Sequence, residues 1–317
     1  KIVECARSNG GAITPEDLAS HESVWVEPIS IDYRNSCLYE IPPNGQGLAA
    51  LMTLGMLHHH GIQKYPVDSA DSVHLQIEAM KIAFAQAHSH NADPGYMSVP
   101  YTEFFQADFL AHQAGKIKMD LASHGVPAIP TDHGTVCLST ADKDGTMVSF
   151  IQSNYLGFGS GVVVPNTGIS MQNRGFGFAI EKGHPNCVGG GKRPYHTIIP
   201  GFVTYEDRPL MSFGVMGGHM QPQGHVQMMV RIFDYGQNPQ TACDAPRWLV
   251  NQDSSVSLES GFSSDVIEEL ENRGHKVLPR SFPSLSGDFG GAQLVFCLDG
   301  GYCAASDPRK DGLAVGF

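Results

Sequence analysis

Gly134-Thr135 sits where a proline-bearing loop gives way to a β-rich run. An interior threonine is chemically ordinary, but a cut before it would change its character. A terminal Thr carries its own base, because its α-amine, with an ordinary pKa of about 7.7–8.0, can take the proton of the adjacent hydroxyl. Gly134 suits such a cut, since a residue without Cβ tolerates strain and close attack. Gly217-Gly218 follows the apolar run 213–216 and precedes a helix-forming stretch. Adjacent glycines there can aim two backbone N–H groups at one developing oxyanion, helped by the positive end of the helix. A plain tight turn is the alternative.

Other motifs carry less. The chain has 15 histidines, densest at His58-His59-His60 and at His88 and His90. Neither cluster has the i, i+4 pair with a helical carboxylate that a zinc protease needs, so no metal is assigned. Gly189-Gly190-Gly191-Lys192-Arg193 fails the phosphate-loop spacing, because Arg193 stands where Ser or Thr is required, and it reads as a flexible loop. Asp288-Phe289-Gly290 matches a kinase tripeptide with no other part of that signature present. The seven cysteines are scattered without a CxxC pair and read as mostly buried thiols. Nothing in the sequence calls for a cofactor.

The elements that must hold these residues read as mixed α and β. Thr14 before Pro15, Glu16 and Asp17 marks a helix start, and 24–39 is rich in β-formers. A turn at Pro42-Pro43-Asn44-Gly45-Gln46-Gly47 precedes a buried helix over 48–57 that ends near Gly61. Asp68 to Asp71 caps a longer helix with the stripe Val73, Ile77, Met80 and Phe84, stopping before Asn91. Another helix is expected over 101–113 and a loop over 122–133. Strands are expected over 135–140, 147–153 and 161–171, the first two joined by the Asp144-Gly145 turn. A strand pair at 197–205 and 210–215, helices at 221–235 and 263–273, and strands at 293–298 and 303–306 complete the reading. Strand runs with helices between and after them point to sheets covered by helices.

Composition bounds the partners. Charged residues are only 16% against 41% hydrophobic, which excludes a disordered chain. A net charge of −12 repels phosphate backbones and anionic lipid, so nucleic acid is not an expected partner. No apolar run approaches the roughly 20 residues of a membrane helix. The chain opens on Lys1 without a signal-like stretch and reads as a truncated or processed piece, so its compartment is not legible.

Taken in order, these residues resemble the γ-glutamyltranspeptidase family of N-terminal-nucleophile hydrolases. Gly11 through Leu18 is similar to its GGxIT-EDL stretch, and Tyr33-Arg34 through Glu40-Ile41-Pro42-Pro43 to its YRG…PPPSSGG segment. The run 135–145 resembles its nucleophile strand and DKDG turn. Lys192-Arg193-Pro194, Met216-Gly217-Gly218 and Ser306-Asp307-Pro308-Arg309 are similar to three further landmarks. The resemblance implies an α+β fold, a four-layer αββα sandwich made as a precursor that cuts itself at Gly134-Thr135. Residues 1–134 would be the C-terminal part of a large subunit and 135–317 the small subunit, associated as a heterodimer. It further implies that Thr135 is the nucleophile with its freed α-amine as base, that Ser153 hydrogen-bonds near it, and that Gly217 and Gly218 form the oxyanion pair. The early part of the large subunit, which in the family supplies an arginine for the substrate α-carboxylate, is not represented.

This sequence departs from the family at the substrate. Typical members have Asn at Tyr155, Glu or Gln at Arg174, Asp at Gly177, and paired serines at His196 and Thr197. The chain is also shorter between Phe178 and Lys192, where a lid loop usually lies. A pocket that trades carboxylates for Arg174 should reject an ammonium and welcome a carboxylate. That pattern resembles the cephalosporin-acylase-like branch, whose acyl groups are glutaryl-type. Alternatives are a surface Arg174 paired with Glu181 and a Tyr155 that merely packs. The expected activity is cleavage of γ-glutamyl or glutaryl-type amides through an acyl-enzyme; the competing expectation is a family fragment that folds without turning over.

Overall fold

In the computed structural model, which describes residues 1–124, 134–280 and 287–317, helices begin where a side chain takes up free N–H groups. After α1 (Ile2–Ser8), α2 (Pro15–Ser20) opens with a capping box in which the Thr14 hydroxyl accepts from the Asp17 N–H and the Asp17 carboxylate accepts from the Thr14 N–H. The hairpin β1 (Ile29–Tyr33) and β2 (Ser36–Glu40) leads into α3 (Gly47–His60), which ends at Gly61 with φ +61°. Ser69 caps α4 (Ala70–His90), and α5 (Ala107–Ala114) follows a 3₁₀ turn at Tyr101–Phe105.

Hairpin β3 (Thr135–Ala141) and β4 (Met147–Ser153) turns around Asp142, whose carboxylate accepts from the Asp144 and Thr146 N–H groups. Then come β5 (Gly201–Tyr205), β6 (Arg208–Met216) and α6 (Met220–Met229), which ends in a π turn at Val230–Asp234. The remainder is α7 (Pro239–Asp244), β7 (Trp248–Val250), β8 (Val256–Glu259), α8 (Ser264–Asn272), β9 (Val277–Arg280), β10 (Gly291–Leu298) and β11 (Gly301–Ser306).

The main sheet is antiparallel, in the order β1-β2-β5-β6-β10-β11. Its two parts meet at β2–β5, where Leu38 faces Val203. Alternation along β6 sorts its neighbours. Phe213 and Val215 face α6, Phe213 lying 4.6 Å from the His225 ring, whereas Ser212 and Gly214 face the β3–β4 hairpin. A Cβ on Gly214 would stand 2.5 Å from the Cys137 sulfur, so only glycine lets the hairpin approach this closely. Helices α3 and α6 therefore cover one face of the sheet and the hairpin the other. On the hairpin's outer face Val136, Leu138, Val148 and Phe150 are exposed. The described residues thus supply the helix, sheet and sheet layers of a sandwich.

Several expectations need correction. Residues 24–28 form no strand, and 161–171 makes only the bridge Val163↔Ser170. Pro165 together with positive φ at Gly161, Asn166 and Gly168 keeps that run from extending. The strand expected from 197 begins at Gly201, and the helix expected over 221–235 is α6 plus the π turn. Of the loop expected over 122–133, residues 125–133 lie outside the described residues. Cys5, Cys137 and Cys243 are buried, and the other four cysteines are half-buried.

Two buried polar clusters lock distant elements together. Arg247 and Arg309 hold Asp307 at 2.5 and 3.0 Å, and Arg309 also binds Glu259. The second cluster joins α4 to the start of β9. The His74 Nε2–H donates to the Lys118 carbonyl, so His74 Nδ1 accepts from His275 Nε2 at 2.8 Å. Lys81 donates to Glu78, the Ser123 carbonyl and His275 Nδ1. Glu78, His74 and His275 lie close enough to share a cation, but these bonds already occupy the facing atoms.

Burial, then the charge of Lys81 and the neighbouring His74, Arg273 and His124, pushes His275 down to about 3, and burial lowers His74 as well. The unfolded chain therefore binds the extra proton between about pH 6.5 and 3. Stability is complete above that window and falls as pH drops through it. At pH 4.5 the His275 contribution is a loss of about 2–3 kcal/mol. Urea midpoints at pH 7 and 4.5 should show this loss, and His275→Asn should flatten it; equal slopes would remove His275 as the cause.

Candidate active site

Thr135 is the first residue of β3 and pairs in register with Ser153, the last residue of β4. The Thr135 hydroxyl donates to Ser153 Oγ at 3.0 Å, and that oxygen also accepts from the Tyr155 N–H at 2.9 Å. Tyr155 reaches this position with φ +79°, a costly conformation for a residue with a side chain. Its carbonyl accepts from the Gly134 N–H at 3.0 Å. A Cβ on Gly134 would stand 2.0 Å from the Gly157 carbonyl oxygen, so the chain around 153–157 folds closely over the Gly134–Thr135 bond. Ser153→Ala is expected to leave the fold intact and lower kcat about 10- to 30-fold, by loosening the Thr135 hydroxyl. A kcat within about twofold of the parent would show that Ser153 does not orient it.

Gly217 and Gly218 lie between β6 and α6 with φ +127° and +56°. At Gly217 a Cβ would stand 2.9 Å from Gly290 Cα, and at Gly290 one would stand 2.0 Å from the Met216 carbonyl oxygen. Gly290 therefore packs closely against Met216-Gly217. A cleft of about 410 Å³ is lined by Thr135, Met216, Lys310 and the stretch 313–315.

The substrate-side residues form a second group. Arg174 is 7% exposed, and its Nη1 donates to Thr197 Oγ1 at 2.8 Å. Its guanidinium lies 5.2 Å from the centre of the Tyr155 ring, while its Nη2 is buried without a partner. Burial pushes Arg174 down to about 10, so it is still a cation at neutral pH. The surface pair with Glu181 is not formed. Burial, followed by the Arg174 and Arg193 charges, pushes His196 down to about 4, so its imidazole is neutral. Its backbone joins the turn at 44–46, donating to the Asn44 carbonyl and accepting from the Gln46 N–H. At Gly177 a Cβ would stand 2.6 Å from the Tyr195 carbonyl oxygen, leaving no room for the aspartate of typical members.

The structure thus joins Thr135, Ser153 and Tyr155 in one set and Tyr155, Arg174 and Thr197 in the next. Lys192 serves its own loop, binding the Pro185 and Cys187 carbonyls and lying over the Tyr96 ring at 4.3 Å. Sequence reading passed over Asn173, whose side chain accepts from the Leu156 N–H and steadies the segment after Ser153.

Stacked antiparallel layers with a threonine at the start of β3, together with the superposition reported below, define an N-terminal-nucleophile hydrolase fold. The profile described as Gamma-glutamyltranspeptidase matches residues 1–317, and the chain belongs to that family. A glutathione hydrolase-like proenzyme of Bacillus subtilis (strain 168) is 33% identical over 328 residues, covering 100% of this chain and 61% of the relative. An oxamate amidohydrolase proenzyme of Klebsiella pneumoniae is 34% identical over 324 residues, with 100% and 60% covered. The crystal structure of a cephalosporin acylase from Bacillus halodurans superposes with a TM-score of 0.89 at 47% identity, over 97% of this chain and 56% of that one. The chain spans about three-fifths of the length of these curated relatives.

Proposed function

We propose that the protein is an autoprocessing amidohydrolase or acyltransferase that acts through a Thr135 acyl-enzyme. Cleavage of the Gly134–Thr135 bond leaves residues 1–134 and 135–317 as two associated subunits and frees the Thr135 α-amine. That amine takes the hydroxyl proton as Oγ1 attacks an amide carbonyl, and the oxyanion is met by the Gly217 and Gly218 N–H groups. The C–N bond breaks, the amine leaves with the proton, and water or another amine releases the acyl group. The observation that carries this reading is the placement of Thr135, opposite Ser153 with their oxygens 3.0 Å apart, directly after a glycine with no room for a Cβ. Association of the two pieces is supported by the β2–β5 pairing and by Arg34–Asp234 and Glu40–His225, both at 2.5 Å.

The acyl group we assign is a dicarboxylic one of glutaryl type. Arg174 has an unpartnered Nη2, the neighbouring His196 is neutral, and Gly177 cannot carry the acid that would hold an ammonium. Initial rates of the full-length protein on glutaryl-p-nitroanilide and γ-glutamyl-p-nitroanilide test this. The glutaryl substrate should be preferred by at least about tenfold in kcat/KM. A preference for γ-glutamyl would overturn the assignment while leaving the acyl-enzyme in place.

A further inference from the structure

Gln46 stands at the entrance to α3 with no solvent exposure, and its backbone N–H donates to the His196 carbonyl at 3.0 Å. Its carboxamide spends both donors and its oxygen on residues beyond the proposed cleavage point. One N–H goes to the Thr197 carbonyl, the other to the Gly218 carbonyl at 2.7 Å, and Oε1 accepts from the Tyr195 hydroxyl at 3.3 Å. Gly218 is one of the two glycines proposed above for the oxyanion, and its carbonyl also accepts from the Gln221 N–H at 3.2 Å, in the first turn of α6. Thr197 carries the hydroxyl on which Arg174 rests. The Tyr195 ring stacks on His219, the residue after Gly218, with centroids 5.6 Å apart. One side chain from 1–134 therefore ties the oxyanion turn to the arm that presents Arg174.

We propose that Gln46 is a positioning residue for acyl transfer, fixing Gly218 and the Thr197–Arg174 arm at one separation across the two pieces. This rests on the reading of Thr135, Gly217 and Gly218 given above. The role needs a neutral group with two donors. An apolar side chain leaves the Thr197 carbonyl unmatched, and a carboxylate faces two carbonyl oxygens and is driven to its protonated form.

The test uses full-length Gln46→Met, Gln46→Glu and Thr135→Ala, with glutaryl-p-nitroanilide rates normalised to the cleaved fraction seen by intact mass. Gln46→Met is expected to lower kcat about 10- to 100-fold. Gln46→Glu is expected to keep part of the activity while its carboxyl is protonated and to lose it as pH rises, an ionisation absent from the parent. A Gln46→Met kcat within about twofold of the parent overturns the proposal, as does a Gln46→Glu pH profile that superimposes on the parent's. If Gln46→Met does not fold, the Gln46→Glu profile decides. An inactive Thr135→Ala beside a normal Gln46→Met sinks only the role of Gln46. An active Thr135→Ala sinks the nucleophile and this inference with it.

Discussion

Replacing Thr135 with alanine in the full-length protein is expected to leave one uncut chain by intact mass and to lower turnover by on the order of 10⁴-fold or more. The Thr135 hydroxyl lies beside the Gly134–Thr135 bond and within hydrogen-bond reach of Ser153. The same oxygen is asked to cut the chain once and then to attack each substrate, so both signals should vanish together. Thr135→Ser keeps the oxygen and loses the methyl that limits its rotamers, and should process and turn over more slowly. The parent should yield a smaller fragment beginning at Thr135. If the parent also stays whole, this hydroxyl does not cut the chain, and the reading of a folded but inactive family member gains.

Arg174→Gln is expected to lower kcat/KM for the glutaryl anilide by about 10²–10³, the usual effect of removing one partner of a desolvated charge pair. The γ-glutamyl anilide should fall by less than about tenfold, so that the preference narrows. The asymmetry follows from charge. In the proposed site a buried guanidinium with a free Nη2 would attract a carboxylate and repel the ammonium of a γ-glutamyl donor. Arg174→Lys should not rescue the rate, because a point charge cannot bind Thr197 and a carboxylate with the same planar fork. Adding Gly177→Asp should not build a γ-glutamyl site, since its Cβ would stand 2.6 Å from the Tyr195 carbonyl oxygen. Equal losses for the two substrates would mean that Arg174 does not face the acyl group.

Elements held by neighbours in sequence were readable from residue order. Helix α4 has its Ser69 cap and a stripe at helical spacing, α3 has Gly61 to end it, and the β3–β4 hairpin has an Asp-Gly turn. The run 161–171 misled because three consecutive valines outweigh, in a pattern reading, the proline and glycines that turn the chain. The glycine pair and Thr135 were legible as candidates since each carries its chemistry within two or three residues, and the family resemblance then ordered them. The same resemblance supplied Ser153 and the substitution at Arg174.

What tertiary structure alone decided is which distant groups meet. The Arg174 charge was visible in the sequence, but its burial, its bond to Thr197 and its free Nη2 were not. His74 and His275 are 201 positions apart, and Gln46 and Gly218 172 apart. A hydrogen bond acts over about 3 Å and leaves no periodic trace in the chain. Gln46 in a turn therefore looks like any other polar turn residue until α3, β6 and α6 pack and strip it of water. Local propensity specifies where an element starts and stops; the burial that turns an amide into a two-donor clamp exists only once the layers have closed.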